Sequence, residues 1–134
     1  MKKVLIIDES SFIIDAIKKR FKHDGKLDLV FAGTAKEIEH HLKKNPPALI
    51  ISNHIHKEGE VVPFFLELKN QGTFPNCPLL YFTHCGEIGF GSKAEKAGAT
   101  AVFVRSDFRT LFKILANIAQ DLPWSDKIAQ DKED

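Results

Sequence analysis

The chain has 134 residues, of which 43% are hydrophobic and 28% are charged, and its formal net charge is +1. This length suits one domain with a full hydrophobic core, and the near-neutral charge gives no electrostatic basis for binding nucleic acid or an anionic membrane. No apolar run approaches the roughly 18 residues of a transmembrane helix. We therefore expect a cytoplasmic protein with neither a membrane nor a nucleic acid as partner. Cys77 and Cys85 lack the spacing of metal ligands and are expected to be reduced.

The first predicted element is a strand over residues 4–7, Val-Leu-Ile-Ile, which ends in two carboxylates, Asp8 and Glu9. An apolar run without polar alternation is typical of a strand buried on both faces, as in parallel sheets. An amphipathic helix is predicted next, over residues 11–22. The neighbouring carboxylates repel each other, so we expect a cation or a basic side chain beside them.

The same strand-and-helix unit recurs four more times along the chain. A capping box from Thr34 to Glu37 begins the second helix, and residues 54–60 are predicted to be a loop. Glycines weaken the fourth helix, so we expect a mobile loop before a short helix over 92–97. Five such units predict a three-layer α/β/α architecture with a doubly wound parallel sheet of five strands. The later strands are predicted over 27–32, 48–53, 78–83 and 101–105.

Polar residues lie at the carboxyl ends of four of the predicted strands. Asp8 and Glu9 follow the first strand, whereas Asn53 ends the third, Thr83 ends the fourth and Arg105 ends the fifth. The carboxyl ends of parallel strands share one edge of a sheet, and open α/β sheets bind their ligands there. The functional site is therefore expected at this edge, together with Asp8 and Glu9.

This arrangement resembles the receiver domain of response regulators, the CheY-like phosphoacceptor module of two-component phosphorelay signalling. The resemblance covers about residues 2–120 and implies a flavodoxin-like fold. It implies a receiver-like domain over residues 1–122, with 123–134 as a polar tail or the start of a linker. The residues that carry it are Asp8-Glu9, the segment 47–53 (Pro-Ala-Leu-Ile-Ile-Ser-Asn, in place of the family's P-D-L-x-L-x-D), Thr83, Gly98-Ala99 and Arg105.

The departures from the family pattern fall on its functional positions. The phosphorylated aspartate of the family corresponds to Asn53, whose amide is a poor nucleophile and removes one charged ligand of Mg²⁺. The family's lysine corresponds to Arg105 and its aromatic switch residue to Val102, whereas the switch hydroxyl is retained in Thr83. We therefore expect a pseudo-receiver without enzymatic activity that signals through protein contacts, independently of phosphorylation.

The resemblance also implies where a partner binds. In the family, the face formed by the fourth helix, the fifth strand and the fifth helix meets partners. We expect a kinase, an effector or an output domain there, and a homodimer is a separate alternative. Two interpretations of Asp8 and Glu9 remain open: an ion pair with Arg105, or weak Mg²⁺ binding in a receiver that still responds to a divalent cation or a phosphoryl group.

A metal- or redox-sensing module is a further alternative. His54, His56, His84 and Cys85 lie in loops near the same edge of the predicted sheet, and imidazole and thiolate suit Zn²⁺ better than Mg²⁺. Their spacing matches no recognised ligand set. An enzyme or flavin-binding domain of this architecture is disfavoured, because neither a P-loop nor a dinucleotide-binding glycine pattern is present.

Overall fold

The computed structural model describes residues 2–8, 10–83, 89–103 and 108–122. Five strands form one parallel sheet in the order β2-β1-β3-β6-β7, and two short strands pair as a hairpin. This confirms the predicted doubly wound sheet. The elements are β1 (Lys2–Ile7), α1 (Ser11–Arg20), β2 (Leu27–Ala32), α2 (Ala35–Lys44), β3 (Leu49–Ser52), β4 (Ile55–His56), β5 (Gly59–Glu60), α3 (Val62–Asn70), β6 (Leu79–Phe82), α4 (Phe90–Lys96), β7 (Ala101–Phe103) and α5 (Phe108–Ala119).

The sheet separates two hydrophobic cores. Helices α1 and α5 cover one face, where Ile17 and Leu115 are buried, and helices α2, α3 and α4 cover the other, where Ile38, Phe65 and Ala94 are buried. Removing an Ile, Leu or Phe side chain from water stabilises the fold by about 1.5–3 kcal/mol. None of the described helices is long and apolar enough to span a bilayer.

Helix α2 is held at both ends. The Thr34 hydroxyl accepts a hydrogen bond from the Glu37 amide at 3.2 Å, as predicted. In the standard capping box, the carboxylate at the position of Glu37 accepts a hydrogen bond from the backbone amide of the capping residue, here Thr34. In this chain the Glu37 carboxylate accepts from the preceding amide, that of Gly33, at 3.2 Å. At the other end, the Lys3 ammonium donates to the carbonyls of His41 and Asn45 at 2.7 and 2.5 Å, and burial lowers the pKa of Lys3.

We predicted a loop over residues 54–60. This prediction is wrong, because the segment contains the β4–β5 hairpin. Two residues on each side pair, and Gly59 supplies a positive φ of 139°. The hairpin is fastened to the start of α2: the Lys57 amide donates to the Gly33 carbonyl at 2.8 Å, and the Glu58 carboxylate accepts from the Ala35 amide at 3.1 Å. Strands of two residues are too short to show a periodic pattern.

Helix α4 begins at Phe90, two residues before the predicted start. Gly89 adopts a left-handed conformation with φ 84°, and the ring of Phe90 packs edge-on against Tyr81 with centroids 5.7 Å apart. This buried contact outweighs the low helix propensity of Gly91. The predicted mobile loop lies largely at residues 84–88, outside the described residues, as do the predicted tail or linker at 123–134 and the predicted end of the fifth strand.

Among the described glycines, Gly98 is the least tolerant of a side chain. Its φ is 104°, and a β-carbon added there would lie 2.5 Å from ring atoms of Phe74. We expect Gly98→Ala to lower the free energy of unfolding by about 2–4 kcal/mol, through backbone strain and overpacking. Urea denaturation measures this change. Gly25→Ala is the matched control, because a β-carbon there meets nothing within 4 Å, and equal effects of both substitutions would contradict the prediction.

The Tyr81 side chain is fully buried on the α2–α3–α4 face of the sheet, and its hydroxyl has no hydrogen-bond partner among the described residues. Burial also raises the pKa of Tyr81. An unsatisfied buried hydroxyl costs about 1–3 kcal/mol. We therefore expect Tyr81→Phe to raise the free energy of unfolding by about 1 kcal/mol in urea denaturation. A clear loss of stability would instead show that the hydroxyl makes a stabilising hydrogen bond.

Candidate functional site

Three neighbouring strands end in polar side chains at the carboxyl edge of the sheet, as predicted. Asp8 follows β1, Asn53 follows β3 and Thr83 follows β6. Each is fixed by a backbone hydrogen bond to an adjacent strand: Asp8 to Ala32 at 3.2 Å, Asn53 to Ile7 at 2.8 Å, and Thr83 to Phe103 at 2.9 Å. The register of the parallel strands therefore fixes the backbone positions of these three residues.

Asp8 is buried, with a relative exposure of 6%. Its carboxylate accepts a hydrogen bond from the Ser10 amide at 2.8 Å. Ser10 lies just before α1, and its hydroxyl caps the first turn of that helix. Glu9 and Arg105 lie outside the described residues. Both the ion pair of Arg105 with these acids and the weak Mg²⁺ site at Asp8 and Glu9 therefore stay predictions.

The imidazole of His54 lies between Asn53 and Thr83. Its Nδ1 atom is 3.0 Å from Asn53 Oδ1 and makes a hydrogen bond with Thr83 Oγ1. The His54 backbone amide donates to the same Asn53 oxygen at 2.8 Å. This contact was not predicted from the sequence, in which His54 was considered only as a loop residue and a candidate metal ligand. Its place directly after Asn53, at an edge that Thr83 shares, was the available signal.

These contacts favour one tautomer of the imidazole. Two groups of His54 approach the side-chain atom Oδ1 of Asn53, and an amide oxygen only accepts hydrogen bonds. We therefore assign the ring hydrogen to Nδ1, between Asn53 Oδ1 and Thr83 Oγ1. The ring thus joins the end of β3 to the end of β6 through a polar contact.

Two further contacts hold His54 in place. Its carbonyl accepts from the Val61 amide at 2.9 Å, which closes the β4–β5 hairpin. Its ring meets Phe90 of α4 edge-on, with centroids 6.1 Å apart. The imidazole therefore touches the carboxyl edge of the sheet on one side and helix α4 on the other.

The switch-equivalent position on the last strand has no aromatic ring. Val102 is half-buried against the core between the sheet and helices α2, α3 and α4 and lies opposite Tyr81 in the β6–β7 register. A branched aliphatic side chain there fills space but has no ring to exchange between buried and exposed positions. The ring of Phe90 contacts the rings of both His54 and Tyr81.

The predicted metal or redox site is described only in part. His56 is buried, and its Nδ1 accepts from the Glu58 amide at 2.9 Å, so one ring nitrogen is already used within the hairpin. Within the described ranges no group of three or more His, Cys, Asp or Glu side chains is placed to hold a metal ion. Because His84 and Cys85 lie outside those ranges, the four-residue site stays a prediction. Cys77 is free, and burial raises its pKa to about 11.

No protein-family model and no curated protein sequence matches the chain. Solved structures match it over most of its length. A two-component response regulator from Clostridium difficile is 18% identical with a TM-score of 0.74, and the alignment covers 90% of this chain and 97% of that one. A response regulator receiver domain from Francisella is 19% identical with a TM-score of 0.72, over 90% and 98%.

A third neighbour is a chemotaxis response regulator of Vibrio cholerae, 23% identical with a TM-score of 0.71, over 88% of this chain and 98% of that one. The Mn²⁺-bound form of response regulator Rcp1 is 13% identical with a TM-score of 0.71, over 88% and 91%. At these identities the likeness is one of fold. The chain therefore has the CheY-like, flavodoxin-like fold that these receiver domains share.

Proposed function

We propose that this chain is a receiver-like signalling domain of the two-component type that acts through protein contacts, without phosphorylation at position 53. The fold of its neighbours supports the general class. The observation that carries the proposal is the imidazole of His54 between Asn53 and Thr83. In this proposal the domain is not an enzyme, and it works in the cytoplasm.

The chemistry of position 53 argues against phosphoryl transfer. A carboxylate oxygen attacks a phosphoryl donor, whereas the nitrogen and oxygen of a neutral amide do so poorly. Asn53 also lacks the negative charge that helps to hold Mg²⁺, which this transfer requires. Its side-chain oxygen already accepts hydrogen bonds from the backbone and the ring of His54.

His54 supplies the contact that a phosphoryl group makes in the resembled family. There, the hydroxyl at the position of Thr83 follows the added phosphoryl group. Here the Thr83 hydroxyl is hydrogen-bonded to the imidazole of His54. In this proposal the end of β6 keeps one arrangement, and the domain serves as a scaffold or adaptor rather than a switch driven by phosphorylation.

The contact of His54 with Phe90 extends this arrangement to α4. We place the partner, which is a kinase, an effector, an output domain or a second copy of the chain, on the face formed by α4, β7 and α5. A fixed position of Phe90, the first residue of α4, would present that face in one form. The proposed output is therefore constant binding to a partner.

A receiver that still responds to a divalent cation is the second candidate. The buried carboxylate of Asp8 favours it, because an anionic oxygen ligand is retained at the edge where Mg²⁺ would bind. The Mn²⁺-bound form of Rcp1 shares the fold. Saturable amide shifts near Asp8 during a Mg²⁺ titration, followed by nuclear magnetic resonance (NMR), would favour this candidate over the first.

A double-mutant cycle tests the contact between His54 and Thr83. We expect His54→Ala and Thr83→Val to be coupled by about 1 kcal/mol in the free energy of unfolding, since each removes the same hydrogen bond. The control cycle replaces Thr83→Val by Thr73→Val, at an exposed threonine whose hydroxyl donates to the Leu68 carbonyl at 3.3 Å. Additive effects of His54→Ala and Thr83→Val would rule out the contact.

Phosphorylation itself is tested by intact-mass measurement after incubation with acetyl phosphate and Mg²⁺. We expect the wild-type chain to gain no phosphoryl group, because Asn53 offers no carboxylate. Asn53→Asp is the matched variant under the same conditions, since it restores the carboxylate alone. A phosphoryl group on the wild-type chain would contradict the proposal, and one on Asn53→Asp alone would assign the inertness to the amide.

A further inference from the structure

The β4–β5 hairpin is a separate two-stranded sheet that lies between the end of β3 and the start of α3. Two residue pairs join its strands, Ile55 with Glu60 and His56 with Gly59. A lone hairpin is marginally stable in water at best, so its shape and position depend on contacts with the rest of the chain. The hydrogen bonds that fasten it lie at two places.

The turn of the hairpin is fastened to the start of α2. The Lys57 amide donates to the Gly33 carbonyl at 2.8 Å, and the Glu58 carboxylate accepts from the Ala35 amide at 3.1 Å. Ala35 is the first residue of α2, so the helix dipole also favours a negative charge here. Lys57 and Glu58 are both exposed, and water therefore competes for these hydrogen bonds.

The base of the hairpin is fastened to the carboxyl edge of the sheet. The Val61 amide donates to the His54 carbonyl at 2.9 Å, and the His54 ring bonds to Thr83. Between base and turn, the buried ring of His56 accepts from the Glu58 amide at 2.9 Å through Nδ1. Glu58 therefore holds His56 through its amide and α2 through its carboxylate. The two fastenings are thus linked through the hairpin itself.

We propose that residues 54–61, the hairpin and the residue on either side of it, form a strap that opens and closes as one unit and thereby controls the contact between His54 and Thr83. A short segment held by few hydrogen bonds opens without the core, because local opening costs less free energy than global unfolding. In the closed strap, His54 bonds to Thr83 and meets the ring of Phe90 at the start of α4. In the open strap both contacts are lost, which releases the end of β6 and the first residue of α4.

The consequence for regulation rests on the proposed function, in which a partner binds the face formed by α4, β7 and α5. The closed strap is the form that presents this face. A partner that prefers the closed strap stabilises it, and by linkage any ligand that holds the strap open weakens partner binding. The strap is thus the element through which constant binding can be turned off.

Amide hydrogen exchange, followed by NMR, measures whether the strap opens as one unit. The reporter amides are those of Lys57, Glu58 and Val61, each of which donates a hydrogen bond that closes or fastens the strap. We expect their opening equilibrium constants to agree within about fivefold and to exceed that of the Ile50 amide, in the buried strand β3, by at least about tenfold. A wider spread among the three, or a smaller difference from Ile50, overturns the proposal.

Two variants test whether the turn and the base of the strap are coupled. Glu58→Ala removes the bond to α2 and should raise the opening constant of the Val61 amide by about two- to tenfold, the effect of losing one hydrogen bond. It should also shift the Thr83 amide. His54→Ala acts from the base and should raise the opening constant of the Lys57 amide by a similar factor. An unchanged constant at the opposite end of the strap in either variant overturns coupled opening.

Glu67→Ala is the matched control for Glu58→Ala. The Glu67 carboxylate also accepts a hydrogen bond, from the side chain of Gln71 at 3.2 Å, but it lies on α3, outside the strap. This control should leave the three reporter constants unchanged, and Glu58→Gln, which keeps an acceptor oxygen, should raise them less than Glu58→Ala. Equal effects of Glu58→Ala and Glu67→Ala would contradict the proposal. An unchanged Ile50 constant confirms that each variant keeps its folded core.

The same spectra separate this inference from the proposed function. If His54→Ala shifts the Thr83 amide but leaves the Lys57 opening constant unchanged, the contact at the sheet edge stands and the strap is refuted. If His54→Ala leaves the Thr83 amide unshifted, the contact itself is refuted, and the proposed function fails with it whatever the strap amides do.

Discussion

The hydrogen bond between the His54 imidazole and the Thr83 hydroxyl depends on most of the features that define this fold. Strands β3 and β6 are neighbours in a parallel sheet, so the residues that follow them meet at one edge. The β4–β5 hairpin, fastened to the start of α2, turns the chain so that His54 faces that edge. Phe90 of α4 closes the other side of the ring. Altering any of these supports would move the imidazole.

The chemistry of the edge follows from two residue identities. An amide at position 53 accepts hydrogen bonds from His54 and carries no charge, so the imidazole can lie against it without requiring a metal ion. A carboxylate at position 53 would instead attract a divalent cation, and the cation would compete with the imidazole for the same space. The buried Asp8 remains as an anionic group at the same edge. This edge of the sheet therefore holds the buried carboxylate of Asp8 beside a neutral amide at position 53.

Much of the fold could be predicted from the sequence because its strands are mostly apolar and its first two helices carry side-chain caps. The second strand was predicted at Leu27–Ala32, where the structure has it, and Thr34 caps α2 as expected. Predictions failed where tertiary contacts decide. Phe90 begins α4 despite the neighbouring glycines because its ring is buried on Tyr81, and the hairpin forms because residues distant in sequence hold it. His54 was missed for the same reason: the sequence pattern does not show which loop side chain turns inward.

The central claim is most directly tested by the tautomer of His54. Long-range ¹H–¹⁵N correlation spectra of the imidazole, assigned by comparison with His54→Gln, report which ring nitrogen carries a hydrogen. We predict a hydrogen on Nδ1, because that atom lies within hydrogen-bonding distance of both the Asn53 side-chain oxygen and the Thr83 hydroxyl. A neutral ring protonated only at Nε2 would contradict it, since Nδ1 would then have no hydrogen to share with the Asn53 oxygen.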